Sequence, residues 1–167
     1  AQITNTELWN KLQTGVVDIT AFNPGYEGLL GSGAIDAALA IKNDLGKIPA
    51  TISDLTVTGI AQEFATLSWK VPADEDDGAP VSFTLYYHTA PINSANLTAA
   101  SRHIIKNTQS AGSDVAFEVN DLLGLTTYYF AITSTDRWGN VSELSEVISE
   151  TTNEGPSIAV DENSLQI

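Results

Sequence analysis

The chain has 167 residues, 43% of them apolar, which is room for one ordinary domain and part of another and too apolar for a disordered tract. Twenty-one acids against 7 bases leave a net charge of −14, which argues against nucleic acid and anionic membranes as partners, since both need a positive face. Without cysteine there is neither a disulfide framework nor a thiolate zinc site.

No apolar run approaches the length of a bilayer span, and no basic n-region with an apolar core follows Ala1, so neither a membrane helix nor a signal peptide is expected in this sequence. Residues 1–48 read as helical. In "TNTELWNKLQTG", Thr4 and Glu7 have capping-box spacing, Leu8, Leu12 and Val16 recur every fourth residue beside Trp9, and Gly15 is placed to end the helix. "GSGAIDAALAIKNDLG" predicts a second helix, with Ser32 as cap, a stripe of Ile35, Ala38, Leu39 and Leu45, and Gly46 as stop. Two short helices cannot bury a core alone, so this segment needs a partner surface.

From Pro49 the period changes to two. "ATLSWKVP" sends Ala65, Leu67, Trp69 and Val71 one way; "VSFTLYYH" does so with Val81, Phe83, Leu85 and Tyr87; "TTYYFAITS" turns Tyr128, Phe130 and Ile132 inward. "ISDLTVT", "VAFEVN" and "ELSEVISE" read as three further strands. Turn signals separate the strands at "DEDDGAP", "SAGSD" and "DRWGN". Short strands at this spacing, without intervening helices, predict a mainly β fold, an antiparallel sandwich. After Gly155-Pro156, "SIAVDENSLQI" reads as a linker and the possible first strand of a further β domain.

Several residues in register carry a resemblance to fibronectin type III domains over 49–154: "DLTVT" as first strand, Trp69 in "LSWKVP" with Pro72 after it, "FTLYY", and the run Leu122, Thr126, Tyr128 in "DLLGLTTYYFAITSTD". Gly124 departs from the proline usual there. The resemblance implies an Ig-like sandwich in which Trp69 fills the space between sheets and the Tyr128 hydroxyl bonds backbone to fix a crossover; Leu122 is a structural position of the same run. Such domains are mostly spacers, adhesion modules or accessory domains.

The glycines of "NPGYEGLLGSGAIDAALA" do not make a phosphate loop. Their spacing, G-x-x-G-x-x-G-x-G, is neither G-x-G-x-x-G nor a Walker loop, and no Lys-Ser/Thr pair follows. The G-x-S-x-G frame of a nucleophile elbow is missing too. With the helix before it, the stretch resembles the C-terminal end of a subtilisin-like serine peptidase domain, matching at Leu8, Leu12, Gly31, Gly33, Ala37 and Ala38, with Asp36 where Asn is common. That resemblance makes residues 1–48 a two-helix remnant of a peptidase domain. Gly31 and Gly33 would then serve close backbone approach and helix entry. It further implies a secreted, extracellular parent that hydrolyses peptide bonds with a serine upstream of Ala1. The family's Asp-Ser/Thr-Gly, His-Gly-Thr and Gly-Thr-Ser-Met-Ala motifs are absent here. Neither histidine is placed for a triad: His88 ends a strand and His103 sits in a connecting segment. No catalytic residue is expected in this chain.

"ADEDDGAP" is the densest charge cluster. Asp74, Asp76 and Asp77 are calcium candidates, although an EF-hand frame from Asp74 would need Glu where Leu85 stands; a solvated loop is the plainer reading, and no cofactor is expected unless it is calcium. Arg137 and Trp138 are a possible contact pair, weighed against a loop tryptophan folded back on the sandwich edge. Asn96 and Asn140 head glycosylation sequons. The expected role is a non-catalytic accessory region, with the rest of the parent peptidase in cis, a protein substrate or a cell-surface polymer as partner. The alternative is a standalone adhesion or glycan-binding module.

Overall fold

A computed structural model describes residues 3–26, 28–31, 33–40, 46–93 and 95–155. Ser32, Leu45 and the stretch after Gly155 lie outside the described residues, as do the side chains of Ala38 and Leu39.

Helix α1 (Asn5–Thr14) begins with a complete capping box: the Thr4 hydroxyl accepts from Glu7 N–H, and the Glu7 carboxylate accepts from Thr4 N–H at 2.7 Å. Gly15 ends it, donating its N–H to Lys11 O at 2.8 Å. The predicted second helix begins later than the sequence suggests. Ala34–Ile35 (β2) pairs antiparallel with Val16–Val17 (β1), and α2 covers Ala37–Ala40. Val16 and Ile35 therefore lie in a ribbon and not on helical stripes. Both are β-branched and adjoin glycine-rich turns, which favours extended backbone over helix. Gly33 (φ +121°) lets this ribbon form, because a Cβ there would collide with Val17 O. Likewise a Cβ on Gly15 would collide with the backbone of Ala40, where the two helices meet.

The β domain is the expected sandwich. One sheet has the order β3 (Thr56–Ile60), β4 (Ala65–Lys70), β7 (Asp114–Val119); the other has β6 (Ser101–Lys106), β5 (Ser82–His88), β8 (Thr127–Thr135), β9 (Ile148–Thr151), with every neighbouring pair antiparallel. The inward residues of β4, β5 and β8, from Leu67 and Trp69 through Phe83 and Leu85 to Phe130 and Ile132, are almost wholly buried and form one core cluster. The inward alternation fades at the ends of β5, where Val81 is exposed and Tyr87 half-buried. The Tyr128 hydroxyl accepts from Leu123 N–H at 3.0 Å, and Leu122 is buried beside it in the same cluster.

Two strand expectations change. "SRHIIK", read as a connection, is strand β6. His103 is therefore a strand residue, stacked on Tyr87 at 5.5 Å and tilted against Phe117 at 5.2 Å. "ELSEVISE" is strand only from Ile148. Before that, Ser142 and Ser145 follow β8 irregularly: each accepts a backbone N–H of β8 on its hydroxyl, from Ser134 at 2.9 Å and Ile132 at 3.0 Å. Three residues of chain here oppose two of β8, which breaks the ladder as a bulge does.

The N-terminal segment meets the sandwich through polar contacts. Lys106 pairs with Asp18 at 2.7 Å and holds its carboxyl well below the usual carboxylate range, helped by Thr20. Arg137 donates to Thr14 O at 2.9 Å, and Lys47 pairs with Glu75 at 3.2 Å.

Trp69→Ala should destabilise the sandwich by roughly 3–5 kcal/mol in urea denaturation, the cost of emptying a large aromatic site, and Trp138→Ala, in a loop, by far less. Among the described residues the core cluster draws nothing from the N-terminal segment. Deleting residues 1–48 should therefore leave the sandwich folded with nearly its full melting temperature. Hydrogen exchange of the intact chain should show α1 opening before the strands.

Candidate functional site

The loops after β4 and after β8 meet at one end of the sandwich. In the first, Asp74 and Gly78 exchange backbone hydrogen bonds (Asp74 N to Gly78 O 3.2 Å, Gly78 N to Asp74 O 2.8 Å), and Gly78 at φ +87° closes the turn. This pinch draws Asp74 inward until it is 4% exposed. Its Oδ1 accepts two long hydrogen bonds, from Asp76 and Asp77 N–H, both at 3.3 Å. Its Oδ2 is enclosed and faces no donor.

In the second loop Asp136 is 2% exposed. Its Oδ1 accepts from Trp138 and Asn140 N–H, both at 2.8 Å, and its Oδ2 from the Asn140 side-chain amide at 2.8 Å. The carboxylate is the internal frame of that turn. The carboxylates of Asp74, Asp76, Asp77 and Asp136 converge, each offering an oxygen within 4.8 Å of the others. Burial first, and then the neighbouring Asp76 carboxylate, push the Asp74 carboxyl up to about 6, against the lowering pull of the two backbone N–H groups.

Arg137 and Trp138 are in contact, the guanidinium carbon 4.7 Å from the ring centroid. Both are half-buried, and Arg137 also reaches Thr14 O, at the C-terminal end of α1, where a cation is favoured. The pair thus joins the loop to the N-terminal segment. Of the sequon residues, Asn140 is committed to Asp136, while half-buried Asn96 bonds Pro91 O at 2.8 Å. His88 Nδ1 accepts from Ala90 N–H at 2.8 Å, and His103 lies between aromatic rings, so each imidazole has a local structural setting.

A structure of chicken CNTN1 FN1–FN3 domains matches with TM-score 0.51 and 17% identity over 65% of this chain and 33% of that one. The twitchin kinase region from C. elegans, which includes a domain designated Fn31, matches with TM-score 0.50 and 19% identity over 64% of this chain and 17% of that one. The β domain has the fibronectin type III fold. The chain spans a third or less of the length of these two proteins, and the likeness is one of fold. No protein-family model matches the chain, and no curated protein matches it. No described helix is long and apolar enough to cross a membrane.

Sequence reading grouped Asp74, Asp76 and Asp77 but missed Asp136. The signal was present in "DRWGN", where an aspartate opens a glycine turn, but nothing local says that this turn faces the other across the end of a type III domain. Asp136→Ala should cost roughly 1–3 kcal/mol of stability, because three donors lose their acceptor. Asp136→Asn, which keeps an oxygen for the two backbone donors, should cost less. Urea denaturation of both variants checks this.

Proposed function

We propose that the chain is a non-catalytic accessory region of a secreted subtilisin-like serine peptidase. In this reading residues 1–48 close the peptidase domain, and the type III domain stabilises it, spaces it, or contacts substrate or a surface polymer. One observation carries the reading: among the described residues the N-terminal segment leaves large apolar side chains exposed. Leu8 is 47% exposed, Trp9 61% and Ile35 66%, beside a sandwich whose own core is closed. Large apolar side chains left in water forgo roughly 1.5–3 kcal/mol each, so such a segment is built to be covered. The order helix, loop, glycine turn, helix is also the order that the peptidase resemblance calls for. The fold supports the accessory role, since type III domains recur in modular proteins such as the two matched here.

A serine-reactive phosphonate should leave the purified chain unlabelled. The coding sequence upstream of Ala1 should contain a Gly-Thr-Ser-Met-Ala motif within a few tens of residues. Stoichiometric labelling of a serine in this chain would overturn the non-catalytic assignment, and an upstream sequence without that motif would overturn the peptidase parent.

A further inference from the structure

We propose that Asp74, Asp76, Asp77 and Asp136 bind one calcium ion that clasps the β4–β5 and β8–β9 loops at this end of the type III domain. The inference does not depend on the peptidase reading. It rests on two observations. Four carboxylates from loops far apart in sequence present oxygens within 4.8 Å of one another, a span equal to two calcium–oxygen bonds of about 2.4 Å placed across an ion. Separately, Asp74 is 96% buried by its 4% exposure, yet its Oδ2 has no hydrogen-bond donor. A buried carboxylate oxygen without a donor is costly, and native proteins satisfy such atoms with a partner. A cation among four carboxylates supplies that partner and offsets their mutual repulsion at the same time.

The donor set selects the ion. Every ligand atom is a hard carboxylate oxygen, with neither histidine nor cysteine in the group, which disfavours zinc and copper and suits calcium. Magnesium demands tighter octahedral geometry at about 2.0–2.1 Å and keeps most of its waters, a poor match to four carboxylates gathered by two loops. Asp136 is already oriented by Trp138, Asn140 and its own turn, so one ligand is fixed in advance. The adjacent residue, Arg137, bonds Thr14 O, so ordering this loop steadies the attachment of the N-terminal segment as well.

The test uses the full chain, stripped with EDTA and returned to chelator-free buffer, with calcium chloride as the probe. Titration calorimetry should show one saturable site. Saturating calcium should raise the melting temperature by about 5 °C or more, EDTA should reverse the shift, and equal magnesium should give a much smaller one. Asp74→Asn and Asp136→Asn should each weaken calcium binding at least about tenfold, the loss of one charged ligand being worth a decade or more. Asp121→Asn, on an exposed turn elsewhere, should bind as the parent does. Circular dichroism establishes that each variant is folded; if either fails, Asp77→Asn carries the same expectation from a more exposed position. The proposal is overturned if calcium up to about 10 mM, above the weakest extracellular calcium modules, gives neither saturable heat nor a thermal shift. It is equally overturned if folded ligand variants bind undiminished, or if magnesium matches calcium.

Discussion

The sandwich depends on one packing contact. Trp69 comes from the middle of the three-stranded sheet and Phe83 from the four-stranded one, and their rings meet edge to face at 5.3 Å and 78°. Both are essentially buried. Aromatic pairs in this geometry add to the value of the area that they bury, and here the pair sets how closely the two sheets approach. Leu67, Leu85, Phe130 and Ile132 complete the layer around it from three strands. Because β4 and β5 are pinned against each other, the loop that joins them leaves the core at a fixed place. β8 pairs with β5 from Ser82↔Thr135 onward, so its own exit lies close by. The convergence of Asp74 and Asp136 follows from that register.

Most of the sandwich was legible because burial on one face imposes a period of two. The inward residues of β4 alternate in sequence as they do in space, and in β8 Tyr128, Phe130 and Ile132 keep the period although residues 130–134 are buried on both faces. β6 was not legible, for a physical reason. It is an edge strand whose outward face carries Arg102 and Lys106 but also exposed Ile104, while its inward face carries polar His103 beside Ile105, so apolar and polar residues do not sort by face. The stretch before β9 was misread in the other direction. Its apolar and polar residues alternate well enough, but Ser142 and Ser145 turn their hydroxyls onto the backbone of β8 and take the place of regular ladder bonds. In the N-terminal segment Ile35 fits the helical periodicity of the residues after it, but it lies at the start of that run beside Gly33, and pairing with Val16 in a two-residue ribbon keeps it extended.

The carboxylate cluster divides along the same line between local and tertiary information. Asp74, Asp76 and Asp77 share one short loop, and a cluster of like charge is visible to any reading of the sequence. Their burial was not. A run of acids in a turn is ordinarily solvated, and only the backbone pinch at Gly78 draws Asp74 to near-complete enclosure. The fourth carboxylate needed the sheet register. Polarity at this end of the domain is thus a property of the fold acting on two unremarkable turn sequences.

The seam between the N-terminal segment and the sandwich has a different character from either part. Lys47, Lys106 and Arg137, three of the chain's 7 bases, are spent on it. Lys47–Glu75 is an exposed ion pair, worth about 0–1 kcal/mol, while Lys106 pairs with the more enclosed Asp18 and Arg137 bonds a backbone carbonyl, so the attachment rests on a few directional polar contacts that set orientation. A segment intended to fold as part of the sandwich would instead have placed Leu8 and Trp9 against the core, where burial gives far more. These side chains face outward while the polar groups face the type III domain. One side is fastened through polar groups at the carboxylate end of the sandwich, and on the other side Leu8 and Trp9 stay exposed, so polar contacts, and not the burial of these two side chains, fasten the segment to the type III domain.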